Sequence, residues 1–293
     1  MANLKDIKTR INSVKTTRQV TSAMKMVSAA KLKKAHDNVS NIQPYVEKMS
    51  HLIYDLVNSS SEDIISDLTD VREPDKVLIV AIASNRGLCG AFNSSVVKKT
   101  EELITEQFYA QYHNKALTLI VIGKQAEKML RQHGYKADLN YNNIFDAPTF
   151  KVTSEIADSF IQDFKSKNYD RVIIVYNEFI NAVHQVIKTD QLLPIEMPVN
   201  REETNTHNYL FEPDLKSITN ILIPQAVRIL FFKMILDSIA SEHGARMTSM
   251  HKATDNATDL INDLELEYNK ARQSAITKEI LEIVSGAEAL KSS

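Results

Sequence analysis

Residues Lys76 to Asn93 read KVLIVAIASNRGLCGAFN. The first half, Lys76 to Ser84, is almost unbroken apolar sequence, the pattern of a strand covered on both faces, as in parallel sheets. A turn with two glycines follows, and Asn93 or Ser94 then stands where a helix reaching about Tyr112 would be capped. Strand, glycine turn and helix open a Rossmann-like unit, in which ligands bind beyond the carboxyl ends of the strands. Ser84 to Gly90 occupies that place, so its chemistry decides whether the fold carries an active site.

Two phosphate templates fail there. A Walker loop needs Lys-Ser/Thr after its last glycine, to reach phosphate and magnesium, and Gly90 is followed by Ala91-Phe92. A dinucleotide fingerprint needs three glycines in G-x-G-x-x-G, and only Gly87 and Gly90 are present. Cys89 near a helix start, with Arg86 beside it, has features of an activated thiol. A nucleophile also needs a base, and the eight histidines are scattered without any recognisable spacing to it. Cys89 therefore reads as a small packed thiol in a tight turn, no metal-ligand spacing exists elsewhere, and neither cofactor nor metal is expected.

Outward from this stretch, Ala116 to Gly123 and Arg171 to Phe179 repeat the buried-strand pattern. Helical patterns lie between them, one from Lys124 stopped by Gly134 and one from Thr153 or Ser154 ending before Asn168. Ala182 to Leu192 alternates and reads as an added antiparallel edge strand. The expected middle is a Rossmann-like α/β domain over residues 75–200.

The ends differ. Residues 1–73 hold no glycine and one proline, and six of the seven prolines fall between 74 and 224. Long helices are expected on both sides, as a shaft of residues 1–60 and 210–293 with connectors at 61–74 and 201–209. Ile7, Ile11 and Val14 begin a coiled-coil seam that loosens around Thr17 to Thr21 and resumes with Met24 and Val27, and Val39 to Leu56 continues it, with Pro44 expected to bend the helix. In the C-terminal segment the seam reads Leu215, Ile218, Leu222, Gln225, Ile229, Phe232, Leu236, Ile239, His243, Arg246, Met250, Ala253, Ala257, Leu260 and Leu264. Pro213 suits the helix start and Pro224 marks a break or a kink before the main rod.

At 1.5 Å per residue such a helix extends roughly 100 Å, so a rod is expected to project from the domain. A chain that leaves by one helix and returns by the other makes them antiparallel. Residues 1–36 carry a net +8 and residues 255–290 a net −5, which fits that pairing. Beyond Leu264 a fresh apolar stripe, Ile276, Ile280, Ile283, Ala287 and Leu290, either packs on the first helix or forms an exposed tip needing a socket.

The net charge of −2 argues against a general polyanion binder. A single cysteine excludes an internal disulfide. No apolar run approaches the ~20 residues that span a bilayer. The basic first helix lacks the interleaved aromatics of a nucleic-acid binder.

Three blocks in order resemble the gamma subunit of the F-type ATP synthase. They are IKTRINSVKTTRQVTSAMKMVSAAKLKK from Ile7, SNRGLCGAFN from Ser84, and SEHGARMTSMHKATDNA with YNKARQSAITKEILEIVSGAEAL between Ser241 and Leu290. The resemblance spans nearly the whole chain. It implies an antiparallel coiled-coil rotor shaft plus a Rossmann-like domain, seated on a membrane c ring beside an epsilon subunit. It implies a shaft entering a ring of three alpha and three beta subunits, with the active sites in that ring and none in gamma. It also implies peripheral membrane association through the complex, on the cytoplasmic face of the bacterial plasma membrane, and no nucleic-acid partner.

Carried over by position, the residues implied to meet the ring are Met24, Lys25, Lys31, Lys33, Lys34, Arg86, Arg246, Arg272, Gln273, Thr277, Ile280 and Val284, with Ile7, Ile11, Val14, Met250, Leu260 and Leu264 in the seam. Two departures stand out. The cysteine pair of photosynthetic relatives is absent, and Asn85 replaces the usual Asp of the glycine loop. The rival readings are a Rossmann-type enzyme using Cys89 and a coiled-coil nucleic-acid-binding protein.

Overall fold

The computed structural model describes residues 4–59, 67–195, 212 and 214–291. Pro213, the expected connector 201–209 and part of 61–74 lie outside the described residues. The chain is mixed α/β: a long helix α1, Leu4–Ser59, a five-stranded sheet with its own helices, and a second long helix α6, Leu215–Lys291. Packing divides it into two units, residues 29–246 and residues 1–28 with 247–293. Ala29–Ser59 and Leu215–Arg246 thus belong with the sheet, although both lie within the long helices.

In the larger unit β1 is Val77–Ile82, β2 Leu117–Ile122, β3 Leu139–Asn140, β4 Arg171–Phe179 and β5 Gln185–Leu193, in spatial order β3-β2-β1-β4-β5. All pairs are parallel except β4 with β5. The continuous apolar strands are covered on both sides, as expected. One face, with Leu78, Val80, Ile174 and Tyr176, packs on α5 (Phe150–Lys165) and on Val227, Phe231 and Ile235 of α6. The other, with Val77, Ile79 and Val175, packs on α2 (Phe92–Glu102) and α4 (Lys124–Gln132). Each side chain fully buried here contributes about 2–3 kcal/mol.

Sequence and structure part company at several local points. The helix after β1 is capped by neither Asn93 nor Ser94. It begins at Phe92, because the Asn93 carboxamide turns inward and accepts from Ser84 N at 2.9 Å. It also does not run unbroken to Tyr112. A π-helical turn, Leu103–Gln107, intervenes before α3, Tyr109–His113, and lets Leu103, Ile104 and Phe108 all enter the core. Helix α5 starts before Thr153 because Thr149 Oγ1 accepts from Val152 N. Strand β5 starts at Gln185, since Asn181 Oδ1 accepts from Val183 N and His184 N and makes a turn of the preceding residues.

From Leu215 to Arg246, α6 is a core helix, buried on more than the expected stripe. Its stripe Ile223, Val227, Phe231 and Ile235 faces the sheet, at steps of four. The expected seam residues Ile229 and Leu236 are buried too, and with Phe232 and with Ile42 and Tyr45 of α1 they line an open groove of about 500 Å³. An 18-residue window of α6 has mean hydropathy 1.4 with 44% of it buried, so by length and composition it could cross a membrane, contrary to the sequence expectation. Burial of its apolar stripe on the sheet accounts for that composition.

In the smaller unit the helices run antiparallel. Lys25 meets His251, Thr21 meets Thr254, and Lys15 pairs with Glu265. Ile7, Ile11 and Leu264 form its buried apolar centre, with Val14, Tyr268 and Ala271 against them. Two seam readings need correction. Leu260 is 39% exposed, and Ile261, 4% exposed, takes its place between Ala257 and Leu264. On α1 the seam does not resume at Val27, which is exposed. It keeps its phase through Arg18, Thr21, Lys25 and Ser28, all at least partly buried.

Candidate functional site

The strand order reverses between β1 and β4, so the crevice of this sheet lies at Ser84–Ala91 and the end of β4. The chain's own side chains fill it. Asn177 at the end of β4 donates to Phe92 O at 3.3 Å, and its carbonyl accepts from Ser241 Oγ of α6 at 3.1 Å. Ser84 Oγ donates to Arg86 O at 2.5 Å. Gly123 closes the neighbouring β2 end, because a Cβ there would meet Ala83 O at 2.1 Å. Only glycine allows the two strand ends to approach so closely.

Arg246 of α6 comes to the same crevice. It is 8% exposed, its guanidinium pairs with Glu242 one turn earlier, and its nitrogens donate to Gly87 O at 3.2 and 3.4 Å and to Arg86 O at 3.3 Å. The position where a doubly wound sheet holds a ligand is occupied by an arginine of the same chain. Burial raises the Glu242 carboxyl above its ordinary range, and the Arg246 charge opposes this. Burial, then the charges of Arg246 and Lys31, lowers His243 to about 4. Its ring is therefore neutral near pH 7, and Nδ1 faces Arg246 Nη1 at 3.5 Å.

Cys89 is buried between Ser84 and Asn93, whose Nδ2 is 3.2 Å from Sγ. Burial raises its thiol above the ordinary value. Among the described residues, no histidine is a polar neighbour of Cys89. A raised pKa and a closed pocket are the opposite of what a nucleophilic thiol requires.

The loop turns the Arg86 and Gly87 carbonyls inward and the Arg86 and Leu88 side chains outward. Arg86 is exposed, and Leu88 is 64% exposed with φ +64°, a left-handed conformation that costs a non-glycine residue about 1–2 kcal/mol. Asn85 ties down the other flank. Its Nδ2 donates to Asn142 O and Asp146 Oδ2, and its Oδ1 accepts from Lys124 N. An aspartate here would set two carboxylates against each other, so asparagine suits a chain with Asp146.

In the larger unit, then, Arg86 lies in this loop and Arg246 donates to it, the Lys31 charge is felt by Glu242 and His243, and Lys33 and Lys34 are exposed on α1. In the smaller unit, Met24 and Lys25 are half-buried against α6, whereas Arg272, Gln273 and Thr277 are exposed. Ile276, Ile280, Leu281, Ile283 and Val284 are also exposed and do not pack on α1. Sequence reading missed Glu242, Asn177 and Ser241, and the signal for them was weak. Polar residues amid a buried helical stretch mark a structural partner, but not which one.

The family described as ATP synthase matches residues 3–290. The ATP synthase gamma chain of Flavobacterium johnsoniae is 49% identical over 290 residues, covering 99% of each chain. A chain of the Tetrahymena thermophila mitochondrial ATP synthase central stalk/c-ring structure is 26% identical with TM-score 0.58, over 80% of this chain and 99% of its own. A chain of the Euglena gracilis mitochondrial ATP synthase rotor shares the fold, with TM-score 0.66 at 19% identity over 93% and 98% of the two chains.

Proposed function

The chain belongs to the ATP synthase gamma-chain family, and on that footing we propose how it works as the central stalk of that enzyme. It transmits rotation between the membrane c ring and the catalytic ring of alpha and beta subunits, so that ion flow drives ATP synthesis and hydrolysis runs the rotor backwards. The end-to-end match to gamma chains at 49% identity carries the reading. A crevice filled by Arg246, Asn177 and Ser241, and a Cys89 with no base beside it among the described residues, support a subunit with no active site of its own.

The physical basis is differential contact. One chain inside a three-fold ring presents a different face to each beta subunit, so each is biased toward a different nucleotide affinity. The exposed cations Lys31, Lys33, Lys34, Arg86 and Arg272 suit acidic loops of the ring, where opposite charge guides register more than it adds affinity. Gln273, Thr277, Ile280 and Val284 supply the apolar and polar contacts of the far end, and Met24 and Lys25 those beside the seam. The sheet domain meets the epsilon subunit and the c ring, on the cytoplasmic face of a bacterial plasma membrane.

The test is to express the chain with alpha and beta subunits and purify through a tag on beta. The chain is expected in the complex, with ATP hydrolysis by the complex and none by the isolated chain. Hydrolysis by the isolated chain at a comparable rate would refute the rotor reading.

A further inference from the structure

Two carbonyls of the exposed loop are held from inside by one guanidinium. Arg86 O also accepts from Ser84 Oγ and Asn93 Nδ2, but for Gly87 O the donor among the described residues is Arg246 alone. The same clamp sits beside Leu88 at φ +64°, a conformation that persists only where the surroundings enforce it. With the carbonyls drawn in, Arg86 and Leu88 stand outward as a cation next to an apolar side chain. Neutral His243 and the counter-charge of Glu242 keep the guanidinium oriented toward the loop.

We infer that Arg246 is a positioning residue that acts through this loop. Buried as it is, Arg246 does not itself meet the ring. It fixes the Arg86–Leu88 tip in its docking shape, so that the tip and the Leu215–Arg246 part of α6 move together when a partner subunit presses on either. A tip already ordered before contact loses less entropy on docking. The inference rests on the reading that Arg86 meets another subunit of the complex, and the experiment separates the two.

Arg246→Lys keeps the charge but loses the fork that spans two carbonyls. It is compared, in the assembled complex in membrane vesicles, with Arg86→Ala and with the double variant. Hydrogen exchange of the amides from Asn85 to Cys89 is expected to quicken about ten-fold in Arg246→Lys, as for one lost hydrogen bond, and to stay unchanged in Arg86→Ala. ATP-driven pumping is expected to fall in both single variants and to fall no further in the double, since both act through one tip. Glu242→Leu with Arg246→Leu removes both buried charges together, preserves the helix and should free the loop equally. Unchanged exchange in Arg246→Lys, or losses of pumping that multiply in the double variant, would overturn the positioning role. Normal pumping in Arg86→Ala alongside faster exchange in Arg246→Lys would instead sink Arg86 as a subunit contact and leave the clamp standing.

Discussion

His243 illustrates what a buried neighbourhood does to one side chain. Its imidazole, lowered to about 4 by burial and by Arg246 and Lys31, stays neutral in the folded chain where an unfolded histidine takes up a proton near pH 6.5. Between those values the unfolded state binds the extra proton, so stability falls as pH falls through this window and is unaffected above it. At pH 5 the loss is roughly 2 kcal/mol from this group. Glu242, with its carboxyl raised by burial, works in the opposite direction and gains stability as pH falls. Urea unfolding of the full chain at pH 7 and pH 5, for wild type and His243→Gln, separates the two. The wild type should lose about 2 kcal/mol more than the variant, and equal losses would mean the histidine is not held neutral.

Among the elements, the paired helices are the most instructive. Steps of three and four residues leave two solutions between Ala257 and Leu264, one through Leu260 and one through Ile261. The structure buries Ile261. Asp at Ile261 or Leu264 places a charge in the seam and is expected to cost 3 kcal/mol or more, on the order of the largest single-site effects, whereas Leu260→Asp should cost under about 1 kcal/mol. Chemical denaturation of the three full-length variants gives the ranking, and parity of Leu260 with Ile261 would rule the seam out. On α1 the phase runs on through Arg18, Thr21 and Lys25, where apolar spacing breaks off. Thr254 donates to Thr21 Oγ1 at 2.9 Å across the seam, so hydrogen bonding there replaces apolar contact. The ion pair Lys15–Glu265 is exposed on both sides and adds ~0–1 kcal/mol, so the opposite charges of the two ends set register more than stability.

At the scale of the whole molecule, a run of apolar side chains near the end of α6 has no partner among the described residues. Ile280 is 55% exposed, with Ile276, Leu281, Ile283 and Val284 around it. Its replacement by Asp should shift the unfolding of the full chain by less than about 0.5 kcal/mol, as for other exposed positions. The same variant should lower the yield of assembled complex with alpha and beta subunits. Leu264→Asp is expected to impair both measurements. Normal assembly of Ile280→Asp would mean that these isoleucines seat in no partner.

The sequence by itself determined the elements and their kind. Unbroken Val/Ile runs at Lys76, Ala116 and Arg171 become parallel strands because only a sheet covered on both faces can bury them, and the glycine-poor ends become long helices for want of breakers. The failure of Ser84–Gly90 as a phosphate loop was also legible, because that chemistry requires particular residues at particular spacings. Tertiary structure alone decided what individual side chains do. Asn93 abandons the helix cap for Ser84, Arg246 turns inward to the loop and away from solvent, and α6 uses Ile223 to Ile235 against the sheet while its expected stripe lines a groove. The reason is common to all three. Periodicity defines faces of an element within a window of its own residues, whereas the face that is buried, and the polar group that is satisfied, depend on neighbours outside that element, nine residues away for Asn93 and Ser84 and 159 for Arg246 and Gly87.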